Sequence, residues 1–181
     1  MPNLLKLRTV IIFLAFTSTL GLTYAADEGL YNWQPCPDSL AEEGGVPASK
    51  KWDLTLSPYT YHWHYSPEHR PVKLMAIDSH VAGGRFCGMA AFTNSFGQAS
   101  AYVYVGKQWD GLLGNPKLFS KVSAGVLWGY RGEYRDKIPF NQAGIAPAII
   151  PSIGYAFNPK DSAQVFILGN AGLLFAYGHS F

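Results

Sequence analysis

Residues 52–65 read WDLTLSPYTYHWHY, and the second half of this stretch alternates strictly between two kinds of side chain. Aromatic residues occupy every second position: Tyr59, Tyr61, Trp63 and Tyr65. Polar residues occupy the positions between them: Thr60, His62 and His64. Successive side chains of a β-strand point to opposite faces, so this pattern gives one aromatic face and one polar face. A strand that is aromatic outside and polar inside is typical of a transmembrane β-barrel at its aromatic belt.

Seven further segments with strand character follow, separated by turn residues such as Ala82-Gly83-Gly84 and Asn158-Pro159-Lys160-Asp161. They are Val72–Val81, Arg85–Thr93, Gln98–Trp109, Leu118–Arg131, Ile138–Phe157, Ala163–Leu168 and Gly172–Phe181. The sequence therefore predicts an all-β fold, an eight-stranded antiparallel outer-membrane β-barrel over residues 52–181. With an even number of strands and both ends in the periplasm, the connections after strands 1, 3, 5 and 7 face outward.

Residues 1–25 have the pattern of a cleaved signal peptide: the basic Lys6 and Arg8, an apolar run over 10–22, and Thr23-Tyr24-Ala25. Its removal from the 181-residue chain leaves 156 residues, enough for one domain. Twelve basic and 12 acidic residues then remain, and this balance disfavours nucleic-acid binding. Charged residues are 14% of the chain, against about 25% in soluble domains, which favours a membrane protein. Residues 26–51, which are acidic and rich in proline, are interpreted as a periplasmic N-terminal arm.

The sequence contains two cysteines, Cys36 and Cys87. We expect two small buried thiols, with a structural disulfide in an oxidising compartment as the alternative. Two separated cysteines do not provide the ligand spacing of a metal site, so we expect no metal.

Three polar residues are predicted to meet at the outer rim. His62 lies near the outer end of the first strand, and the topology brings the end of the third strand, with Asn94 and Ser95, to the same rim. Histidine can act as a general base at neutral pH, so this group is a candidate catalytic site. Polar residues also fill barrel lumens without any catalytic role, and the pattern alone leaves that reading open.

A family resemblance adds to this interpretation. Residues 52–62, WDLTLSPYTYH, resemble the first barrel strand of the PagP-type lipid A palmitoyltransferases, and His62 falls on the family's catalytic histidine. Residues 89–96, MAAFTNSF, are similar to a segment in which Ser95 falls on an essential serine and Asn94 on an aspartate. Residues 124–126, 138–139 and 147–155 are similar to the fifth and sixth strands.

The resemblance implies an acyltransferase that moves a palmitoyl or similar chain from a phospholipid to lipid A of lipopolysaccharide. It implies an outer-membrane location, no cofactor, and His62 as the base; we expect a monomer. Expected substrate-binding residues are His64, Arg131, Arg135 and Gly125. Prolines expected to weaken strand pairing and admit lipid sideways are Pro58, Pro139, Pro147 and Pro151.

The chain departs from the family at three places. Asn94 cannot act as the anionic partner of an imidazolium, because an amide carries no charge. The first outer connection is short, and the acidic N-terminal arm does not resemble the family's amphipathic helix. Three alternatives therefore stay open: a non-catalytic outer-membrane barrel that binds lipid or has a structural role, a lipid A deacylase using Ser95, and a soluble periplasmic barrel. The soluble barrel would have apolar residues inside and polar residues outside.

Overall fold

The computed structural model describes Cys36 and residues 51–181. The predicted signal peptide and nearly all of the predicted arm lie outside the described residues. The described part of the chain contains eight β-strands, numbered β1 to β8 in chain order. They are Lys51–His62, Leu74–His80, Arg85–Thr93, Ala99–Asp110, Leu118–Trp128, Ile145–Ala156, Asp161–Ile167 and Gly172–Ser180.

The eight strands form one closed barrel in which each strand pairs antiparallel with its neighbours in the sequence, and β8 pairs with β1. This confirms the predicted fold. We call the end that carries Lys51 and Ser180 the inner end, and the end that carries the connections after β1, β3, β5 and β7 the outer end. The described residues include no helix that is long and apolar enough to cross a membrane.

The outward face of the barrel is apolar. Val103 and Val126 are more than half exposed on β4 and β5, and Ile149 on β6 is 73% exposed. The aromatic residues predicted to share a face in β1, Tyr59 and Tyr61, are exposed as well. A soluble barrel would place polar residues there, so the structure disfavours that alternative. The outward pattern is that of a barrel surrounded by lipid.

The sixth strand is shorter than predicted. The sequence pattern extends it from Ile138 to Phe157, whereas β6 begins at Ile145. Residues Gly132–Lys137 form a short 3-10 helix, and Phe140 and Ala143 have positive φ angles, a conformation that extended strands do not adopt. The prediction for this end of the strand was wrong because Ile138 and Phe140 are strand-like in composition while their backbone forms a loop.

Two seams of the barrel are paired over only part of their length. β1 pairs with β2 from Lys51 to Ser57, so within the described residues the outer part of β1 has no partner in β2. β6 pairs with β7 only from Ser152 to Ala156, which leaves its outer half without a partner in β7. Both seams are therefore open toward the outer end.

A β-bulge marks the first of these seams. The register between β1 and β8 shifts between Leu56 and Tyr59, at the position of Pro58. Proline has no backbone N–H to donate, and the Ser57 hydroxyl instead donates to the Phe175 carbonyl at 2.6 Å. The extra residue changes which positions face inward, so that Ser57 and Thr60 both point into the barrel.

The inner half of the lumen is filled by a buried charge network. The Lys121 amine lies 3.5 Å from Asp53 Oδ2 and 3.3 Å from Asp78 Oδ2. Asp53 also bonds to His80 at 2.8 Å, and the Tyr104 hydroxyl donates to Asp78 at 2.6 Å. Buried charges are tolerated only when they are paired and hydrogen-bonded, and this network meets that condition. It closes the inner half of the barrel.

The expectation of two free thiols was wrong, since Cys36 and Cys87 form a disulfide with their Cα atoms 5.5 Å apart. Cys87 points outward from β3, opposite Ser79 of β2 and near the inner end. The disulfide therefore attaches Cys36 to the outward face of the barrel wall, near the inner end. The two cysteines are 51 residues apart in sequence, and the sequence spacing contains no information about their distance in space.

Candidate active site

The outer end of the barrel brings together His62 and Ser95. His62 is the last residue of β1, and Ser95 lies in the turn between β3 and β4. The His62 Nε2 atom and the Ser95 Oγ atom are 2.7 Å apart, a hydrogen-bond distance. When the ring proton is on Nδ1, Ser95 donates to Nε2, and the nitrogen is then in the state in which it can accept a proton. This is the geometry of a hydroxyl next to a general base.

Asn94, the third predicted catalytic residue, belongs to the turn. Its side-chain oxygen accepts hydrogen bonds from the backbone N–H groups of Phe96 and Gln98, both at 3.0 Å. Its amide nitrogen donates to the Gln98 side chain at 3.4 Å, and the residue is 1% exposed. An asparagine that bonds to the backbone two residues ahead stabilises a turn. Asn94 thus fixes the backbone that carries Ser95, and its described contacts do not include His62.

A further histidine, His69, which no sequence pattern marks as a site residue, contacts His62. The His69 ring stacks on the His62 ring with centroids 4.0 Å apart and planes 27° apart. His69 lies in the connection between β1 and β2, where there is no periodic pattern. Its presence a few residues after His62 is the signal that the sequence contains, and that signal does not distinguish a site histidine from a solvent-exposed histidine.

Aromatic side chains from two outer connections extend this stack across the mouth. Phe96 contacts His69 edge-on at 5.7 Å and stacks on Tyr134 at 4.2 Å with planes 13° apart. Tyr130 contacts Phe96 edge-on at 6.2 Å, and burial raises the pKa of Tyr130 to about 12, so its phenol stays neutral. The Lys137 amine lies 5.6 Å from the Phe96 ring centroid. These rings partly cover the lumen next to His62.

Below the rim the lumen is apolar before it reaches the charge network. Leu174 stands opposite Thr60, one inward-facing row below His62. A cavity of about 60 Å³ lies in the lumen. Its apolar walls include Leu74, Ile150, Phe166, Leu168 and Leu174, and its floor includes Asp78, Tyr104 and Lys121. The His62–Ser95 pair lies at the outer end of the same barrel and is not part of the lining of this cavity.

The comparisons with known proteins agree with this architecture. No family model matches the chain, and no curated protein matches it. A solved structure described as "De novo design of transmembrane beta-barrels" is similar, with a TM-score of 0.54 and 13% sequence identity. The similarity covers 76% of this chain and 99% of that one. The chain has the fold of a transmembrane β-barrel. At this identity the similarity concerns the fold alone.

Three of the predicted substrate-binding residues, His64, Arg131 and Arg135, lie in the connections after β1 and β5. His64 follows the end of β1 and is exposed. The Arg131 guanidinium lies over the Trp128 ring at 4.7 Å, and its backbone bonds to the Gln98 side chain. Arg135 is exposed in the 3-10 helix and pairs with Asp136 at 3.4 Å. All three are at the outer end of the barrel, and the structure does not bring their side chains together.

Gly125 faces the lumen in the middle of β5, at a point where the backbone of β4 comes close. A Cβ atom at this position would lie 2.0 Å from the Val103 carbonyl oxygen and 2.7 Å from the Tyr104 Cα. Only glycine fits this close approach. Its absent side chain makes room for the backbone of β4 at Val103 and Tyr104.

Three of the four prolines lie at the open seams. Pro58 is at the bulge where β1 leaves β2, and Pro147 and Pro151 lie in the half of β6 that has no partner in β7. Pro139 was expected in a strand but lies in the turn before β6, because β6 begins only at Ile145.

Within residues 51–181, no group of three or more His, Cys, Asp or Glu side chains has the arrangement of a metal site.

Proposed function

We propose that this protein is an outer-membrane acyltransferase that moves a palmitoyl or similar chain from a phospholipid to lipid A. The observation that carries the proposal is the 2.7 Å hydrogen bond between His62 and Ser95 at the outer end of a barrel whose lumen contains an apolar-walled cavity. A polar catalytic pair beside an apolar space is suited to a substrate whose ester is polar and whose tail is a hydrocarbon. The sequence resemblance of the first and third strands to lipid A palmitoyltransferases supports the same reaction.

In this proposal His62 is the general base. A hydroxyl of lipid A gives its proton to His62 Nε2 as its oxygen bonds to the ester carbonyl carbon of the phospholipid. The ester C–O bond to glycerol then breaks, and the proton passes from His62 to the leaving oxygen. The products are acylated lipid A and a lysophospholipid. Ser95 holds His62 Nε2 before the acceptor arrives and can hydrogen-bond to the substrate after it.

The two open seams suit the lateral entry of lipid. In a bilayer an unpaired strand edge is costly, and prolines lessen that cost because they have no N–H to satisfy. A lipid chain that entered between β1 and β2 or between β6 and β7 would reach the apolar lumen without crossing the aromatic cover. Arg131, Arg135 and His64 at the outer end are the candidate contacts for the phosphates of lipid A, since arginine binds phosphate through two parallel hydrogen bonds.

The same hydrogen bond favours a second candidate, a lipid A deacylase. If Ser95 were the nucleophile, His62 would take the serine proton, and water would later release the acyl group from the serine. The two functions differ in the fate of the chain: transfer adds an acyl chain to lipid A, whereas deacylation removes one. A non-catalytic barrel would do neither.

The test is the lipid A of cells that lack a palmitoyltransferase of their own and express this protein. We expect mass spectrometry to show one added acyl chain, and its mass identifies the chain. The addition should be lost in His62→Ala and strongly reduced in Ser95→Ala. Unchanged lipid A from cells in which the folded barrel is present would contradict the proposal, and the loss of a chain would favour the deacylase.

A further inference from the structure

The hydrogen bond to Ser95 fixes the Nε2 atom of His62. A second contact is required to fix the plane of the His62 ring. The hydrogen bond to Ser95 holds Nε2 at a single point, about which an imidazole can still tilt. In serine hydrolase triads a carboxylate on the other ring nitrogen removes this freedom. Asn94 does not do so here, because its side chain is bonded to Phe96 and Gln98 within the turn.

His69 provides a contact of a different kind. Its ring lies flat against the face of the His62 ring at 4.0 Å. Two stacked rings restrict each other's rotation about the Cβ–Cγ bond, since tilting either ring brings its edge into the face of the other. The stack and the hydrogen bond are complementary, because one fixes the plane of the His62 ring and the other fixes the direction of Nε2 within that plane.

The connection that carries His69 is attached to the turn that carries Ser95. The Arg70 backbone N–H donates to the Ser95 carbonyl at 2.8 Å, and the His69 N–H donates to the Ser66 carbonyl at 3.1 Å. On its far side the His69 ring has an edge contact with Phe96. The two groups that hold His62 are therefore linked to each other through backbone and ring contacts, and they hold it as one unit.

We propose that His69 is a positioning residue that keeps the His62 ring in the plane in which Nε2 meets the Ser95 hydroxyl. It takes the orienting role that a carboxylate has in other sites, and it does so by stacking rather than by charge. Its consequence for the reaction rate rests on the proposed acyltransferase function. Its consequence for the geometry does not, so the two can be tested separately.

The geometric test is nitrogen NMR of the folded protein labelled at histidine. The chain has five histidines, so single His→Gln variants assign their ring signals. We expect His69→Ala to shift the ring-nitrogen signal of His62 to the position that it takes in Ser95→Ala. Both changes should release His62 Nε2 from its hydrogen bond to Ser95. His69→Phe, which keeps a flat ring, should leave the signal where it is in the unaltered protein. Tyr65→Ala, a change in the same connection at a residue that is 92% exposed, is the matched control and should have no effect.

The kinetic test is acyl transfer by the same variants. We expect His69→Ala to lower kcat by about 10-fold or more with little change in KM, as misplaced catalytic groups do. His69→Phe should restore kcat to within about three-fold of the unaltered protein, because the ring and not the charge is required.

Each outcome bears on one of the two proposals. An unchanged His62 signal in His69→Ala overturns the positioning role, even when transfer is observed. Rescue by His69→Gln but not by His69→Phe also overturns it, since a hydrogen-bonding or proton-carrying role would then be required. If the unaltered protein transfers no acyl chain but the His62 signal responds as expected, the positioning role stands and the acyltransferase function fails.

Discussion

Replacing Lys121 with methionine tests the buried charge network in the inner half of the lumen. The Lys121 amine contacts carboxylate oxygens of both Asp53 and Asp78, and all three side chains are less than 10% exposed. Methionine has a similar length but no charge, so the variant leaves two buried carboxylates, of which Asp53 keeps its hydrogen bond to His80. Removing one partner of a buried ion pair typically costs about 3–5 kcal/mol, and we expect a loss of that size in the free energy of unfolding.

The assay is urea unfolding in phospholipid vesicles, followed by the fluorescence of the five tryptophans. The double variant Lys121→Met/Asp78→Asn removes one of the stranded charges, and an amide oxygen at position 78 still accepts from Tyr104. We expect it to regain about 1–3 kcal/mol relative to Lys121→Met. Lys160→Met, at an exposed turn residue, should stay within about 0.5 kcal/mol of the unaltered protein. A Lys121→Met barrel as stable as the Lys160→Met barrel would refute the view that this network stabilises the fold.

Three further predictions concern single positions. Cys87→Ser removes the disulfide and should lower the free energy of unfolding by about 2–4 kcal/mol. When the protein is unfolded without a reducing agent, thiol titration should detect the Cys36 thiol in the variant but not in the unaltered protein. Asn94→Ala leaves two turn N–H groups without their acceptor and should cost about 1–3 kcal/mol in urea unfolding, whereas Asn94→Asp keeps the acceptor and should cost less than Asn94→Ala. Gly125→Ala forces a Cβ against the Val103 carbonyl and should cost about 1–3 kcal/mol, and a variant as stable as the parent would show that β4 can move.

The barrel could be predicted because its signal repeats in every strand. The alternation in Tyr59–His62 reports an aromatic face and a polar face, and β3 was predicted with both of its ends correct. The end of β6 could not be predicted, because Phe140 and Ala143 leave the extended region through positive φ angles that their residue types do not signal.

The candidate site could be predicted only in part. Topology placed His62 and Ser95 at one rim, since the outer ends of β1 and β3 must both lie there. The role of Asn94 in the turn depends on which backbone groups its side chain meets, and the contact of His69 depends on the path of an irregular connection. Neither has a periodic signal, so each requires coordinates. The same holds for the disulfide between Cys36 and Cys87.

Acyl transfer by the His62–Ser95 pair can be measured with the purified barrel in vesicles. The vesicles contain a phospholipid with an isotopically labelled acyl chain, and lipid A as acceptor. We expect labelled acyl-lipid A and lysophospholipid in equal amounts, with both products lost in His62→Ala. If the folded protein forms neither product, or forms both equally well after His62→Ala, the pair does not transfer the chain.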